Sequence, residues 1–107
     1  MSIDFEKIEN DVMNIILNDN SEDGIIMMKQ YINRLSKTRE INPCGWFTFF
    51  HIPNNSEKIS KRDELHIGNV IVPMVGMEYG IGFVLHVSDG QINTLEAYTF
   101  EEYLPQP

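Results

Sequence analysis

Two β-rich runs, Ile81–Val87 and Ile92–Phe100, flank Ser88-Asp89-Gly90-Gln91, and this arrangement constrains the chain more than any other feature. Asp-Gly between such runs supplies the two positive-φ positions of a tight hairpin turn. The C-terminal third is therefore expected to be antiparallel sheet. An unbroken register from that turn sets Phe83 opposite Glu96, Leu85 opposite Thr94 and Val87 opposite Ile92 on one apolar side. Burying an unpaired carboxylate there costs several kcal/mol. Glu96 must then have a partner, sit at the rim, or be turned outward by a bulge between Ile92 and Leu95.

Upstream the pattern changes period. Phe5, Ile8, Val12 and Ile15 recur at three- and four-residue steps, as do Ile25, Met28, Ile32 and Leu35. Asp4 and Ser21 are placed to cap two helices, Ile3 and Ile8 have staple spacing, and Asn18-Asp19-Asn20 reads as the break between them. Lys37 and Arg39 suit a helix C-terminus. A helical hairpin is expected over about 4–37. Trp46–Ile52 reads as a strand buried on both faces and ending at Pro53. Residues 53–66 form a polar connection in which Ser60 and Asp63 suggest a capped helical turn, and Ile67–Val72 is a short strand. The fold class is α+β: one domain over 1–107, with the helical hairpin on one face of a mostly antiparallel sheet of about four strands within 45–105.

Length and charge narrow the class. At 107 residues the chain suits a single core. Its longest purely apolar run, Ile25–Met28, is far short of the ~18 residues of a membrane span. Met1-Ser2-Ile3-Asp4 does not open like a secretory signal, and one cysteine fits a reducing compartment, so the expectation is cytoplasmic. Sixteen acids face eight bases, and residues 63–107 hold seven acids with no Lys or Arg. That excess argues against nucleic acid as a ligand and permits a basic partner.

No constellation for catalysis stands out. Cys44 with His51, His66 or His86 has the residue types of a nucleophile and base, without a spacing motif. The same residues lack zinc-ligand spacing, so no metal and no cofactor is expected, and His51 and His86 read as structural histidines. Gly76, Gly80 and Gly82 precede a strand rather than a helix, which does not fit a phosphate loop. The methionines, Met27, Met28, Met74 and Met77 among them, read as core filler.

The remaining chemistry is acidic. Glu96, Glu101 and Glu102 cluster with Tyr98, Phe100 and Tyr103, and Asp63 and Glu64 add charge on the preceding connection. Carboxylates among aromatics can plug a basic cleft by imitating phosphates flanked by bases; a solvated acidic tail beside core aromatics is the plainer reading. Residues 80–105, above all Leu95-Glu96-Ala97-Tyr98-Thr99 with a closing Pro105, resemble the C-terminal hairpin of short bacterial immunity proteins. These sit beside polymorphic toxins, including the contact-dependent growth inhibition type. The resemblance implies a non-enzymatic protein that binds a cognate toxin domain, often a nuclease, and covers its basic active-site cleft. Glu96, Glu101, Glu102, Tyr98, Tyr103, Asp63 and Glu64 are the expected toxin-binding residues. The alternatives are an acidic adaptor or regulatory subunit without a toxin, or a small Cys/His hydrolase.

Overall fold

Asp4 caps the first helix, accepting a hydrogen bond from Lys7 N at 3.2 Å, and Ser21 caps the second through Gly24 N at 2.9 Å. The computed structural model describes residues 3–105. The helices are α1 (Phe5–Leu17) and α2 (Glu22–Ile32), with Asn20 at φ 56 in the break between them. Five strands follow: β1 (Ser36–Asn42), β2 (Gly45–His51), β3 (Leu65–Val72), β4 (Ile81–Ser88) and β5 (Gln91–Thr99). They form one antiparallel sheet in the order β1-β2-β5-β4-β3. The α+β class with N-terminal helices holds. No helix among the described residues is long and apolar enough to cross a membrane.

Three expectations are corrected. The helical hairpin stops at Ile32, and Ser36–Asn42 forms a fifth, polar edge strand. It returns into β2 through a turn in which Asn42 Oδ1 accepts from Cys44 N at 2.8 Å. Lys37 and Arg39 thus serve a strand rather than a helix end. No helical turn forms at Ser60–Asp63. The segment is anchored instead just before it, at Ile59, which is buried and donates its N–H to Gly90 O at 3.0 Å.

On α1 the expected stripe keeps Phe5, Ile8 and Val12 on the core and loses Ile15, while α2 is rotated from its expected stripe. On α1 the buried residues are Glu9, Val12, Met13 and Leu17, while Ile15 is 60% exposed. On α2 they are Gly24, Ile26, Met27, Gln30 and Tyr31, while Ile25 and Ile32 face out. Polar anchors set the rotation. Gln30 Nε2 donates to Glu57 O at 2.8 Å and Gly90 O at 3.1 Å, and its Oε1 accepts from Ile92 N at 2.9 Å. One side chain of α2 therefore ties down the hairpin turn. Gln30→Leu strands buried backbone groups and is expected to cost roughly 2 kcal/mol, read from the urea midpoint with an unchanged m-value.

The helices cover one sheet face. Trp46 sits edge-on between Phe5 of α1 (4.8 Å) and Phe83 of β4 (5.6 Å), and Leu85, Val87, Ile92, Leu95 and Ala97 complete the layer. Met13 and Met27 are buried in it, with Met28, Met74 and Met77 packed against its margin, as filler should be.

Candidate functional site

The hairpin register decides what the other face carries. Asp89 and Gly90 take φ 50 and 80, as a two-residue turn of this kind requires. Val87 pairs with Ile92, but His86 pairs with Thr94, so Asn93 is an extra residue in β5. That bulge shifts every later side chain by one position. Phe83 opposes Ala97, Leu85 opposes Leu95, and Glu96 opposes Val84 on the face away from the helices. Glu96 gains a partner as well: its Oε1 lies 2.9 Å from His86 Nε2.

No helix packs on this second face. The sequence pattern predicts Trp46–Ile52 buried on both sides; instead Trp46, Thr48 and Phe50 are buried while Phe47 and Phe49 are half-buried on the open side. Their rings are nearly parallel, with centroids 6.2 Å apart. His66 of β3 pairs directly with His86 of β4, ring edge to face at 4.6 Å. The histidines are thus surface groups rather than buried structural ones: His51 and His66 are exposed and His86 half-buried. Phe47, Phe49, Glu64, His66, His86 and Glu96 line a groove of about 320 Å³.

The expected binding residues divide. Glu64, Glu96 and Tyr98 belong to the open face, the Tyr98 ring lying over Gly82 of β4 and edge-on to Phe100 at 5.4 Å. Glu101 lines a second, apolar groove of about 450 Å³ with Ile71, Tyr79 and Phe100 at the far end. Glu102 instead holds the nearby backbone, its carboxylate accepting from Glu78 N at 3.1 Å and Tyr79 N at 2.8 Å. Asp63 and Tyr103 are exposed but lie outside both grooves. Phe47 and Phe49 are not among the expected site residues, and His66 and His86 enter the sequence reading only as candidate bases or metal ligands. The available signal was geometric, since two helices can cover only one side of a sheet and one phase of β2 had to face out.

A second polar cluster lies under the helices. Glu9 is fully buried, yet Lys37 Nζ (3.0 Å), Arg39 Nε (2.9 Å), Trp46 Nε1 (3.1 Å) and the Thr48 hydroxyl all donate to it. Burial alone would push this carboxyl up; hydrogen bonds from Arg39, Thr48 and Lys37 overcome that and bring it down to about 2. Lys37 and Arg39 are the only Lys or Arg residues in the five strands, and both are drawn to the helix side.

Cys44 is exposed in the β1–β2 turn, with His51 at the opposite end of β2, about 20 Å along the strand. Among the described residues no group of three or more His, Cys, Asp or Glu is placed to hold a metal ion. Compared with family models, curated proteins and solved structures, the chain has no match.

Proposed function

We propose that the chain is an immunity-type inhibitor, a non-enzymatic protein that neutralises a cognate toxin domain of nuclease type by covering its basic active-site cleft with the open sheet face. One observation carries the reading. The face opposite the helices presents aromatic rings and carboxylates, while both strand cations are sequestered by Glu9 on the other side. An aromatic and acidic surface suits a cleft built to hold bases and phosphates, and steers association with it. Seven- to nine-residue strands at ~4.8 Å spacing project roughly 500 Å² of face. A standard interface takes ~800 Å² from each partner. The footprint therefore needs the adjoining Ile71–Tyr79–Phe100–Glu101 groove.

The test is co-expression with the product of the adjacent open reading frame. The expected result is co-purification of a complex that suppresses that protein's toxicity. Binding without any toxicity to suppress would turn the reading to an adaptor, and no binding would overturn it. Within the complex, Glu101→Lys should slow association roughly three- to tenfold at low salt, an effect that fades as salt rises. The single change is the informative one, because altering Glu102 also removes the carboxylate that holds Glu78 N and Tyr79 N.

A further inference from the structure

The groove at the β2–β5–β4–β3 centre has a composition that selects one ligand chemistry. One wall is the near-parallel Phe47 and Phe49 pair, and the other is the His66–His86 pair. Glu96 spends one oxygen on His86 Nε2, and its second oxygen has no hydrogen-bond partner among the described residues. Glu64 at the rim likewise has none. Two carboxylates beside flat aromatic faces, with no lysine or arginine lining the groove, match a planar cation that can both stack and donate in pairs. A guanidinium does this and an ammonium does not.

We infer that this groove is a subsite for one arginine side chain of the bound partner, its guanidinium stacked on Phe47 and Phe49 and paired with Glu96 and Glu64. The assignment rests on the inhibitor reading and deepens it by naming what the face grips. His86 is the internal competitor for Glu96. The groups facing His86 are His66 and Glu64 from the β3 side and Glu96 from β5; β2 contributes only the two phenylalanines.

The test needs no partner. Ethylguanidinium is titrated into the full chain while the His66 and His86 ring signals are followed by NMR. Expected are saturable shifts of both rings in the millimolar range near pH 8. Glu96→Gln should abolish saturation, and Asp11→Asn, an equal charge change on α1, should leave it intact. A linear, unsaturable response, or equal binding by Glu96→Gln, overturns the subsite. Ethylammonium binding as tightly as ethylguanidinium overturns the arginine assignment. Saturation supports the subsite whatever the partner experiment returns, and its absence leaves the wider inhibitor reading standing.

Discussion

Glu9→Ala is expected to cost about 3–5 kcal/mol, a large share of the ~5–15 kcal/mol that holds a small domain together. The carboxylate is buried, and four side chains from β1 and β2 converge on it. Removing it leaves Lys37 and Arg39 facing one another beside the core with Glu6 as their one remaining acidic partner among the described residues. Trp46, the one tryptophan, donates to Glu9, so its fluorescence reports the urea transition directly. Replacing Glu9 together with Lys37 and Arg39 by apolar residues should recover much of the loss, because the penalty is a stranded charge rather than a missing attraction. A single-variant loss under about 1 kcal/mol would show that the cluster does not clamp the helices to the sheet.

The same carboxylate makes the fold acid-sensitive. Its folded value, about 2, lies below the 4.5 of an unperturbed glutamate, so its contribution is complete above 4.5 and disappears as pH falls toward 2. The gap is worth roughly 3 kcal/mol. In Glu9→Gln the descent of stability between about pH 5 and 2 should be correspondingly shallower, as urea midpoints along that series would register.

The caps, the break at Asn20, the Asp-Gly turn and the α+β layering were legible in the sequence because each rests on short-range chemistry: a side-chain oxygen over a helix N-terminus, or two positive φ values in a row. The differences came from long-range polar contacts. Ser36–Asn42 has few strand-forming side chains, and it is a strand because β2 pairs with it along its length while Lys37 and Arg39 reach Glu9. The helix stripes are displaced for the same reason, since Glu9 and Gln30 occupy core positions that a hydrophobicity pattern gives to Ile15 and Ile25. Of the site, the acids and Tyr98 could be named from composition. Their division between groove, rim and loop cap depended on Asn93, one extra residue whose place within Ile92–Leu95 the pattern left open.

Gly82→Val separates the open face from the core beneath it. Gly82 is on the open side of β4, and a β-carbon there would stand 2.5 Å from the Tyr98 ring, so the phenol must swing away. The obstructing atoms are the far end of a movable side chain, and valine suits a strand, so stability should change by less than about 1 kcal/mol. The face would change more. Tyr98 gives up its place over Gly82 and its edge contact with Phe100, a residue that lines the apolar groove with Tyr79 and Ile71. If the open face binds a partner as proposed, losing a tyrosine anchor from it costs about 2 kcal/mol, so affinity should fall roughly thirtyfold, mainly through faster dissociation. Tyr98→Ala should reproduce the loss, and in the Gly82→Val background it should add little, since both changes remove the same ring from the same place. An unaltered dissociation rate in Gly82→Val, with folding intact, would move the partner off this face.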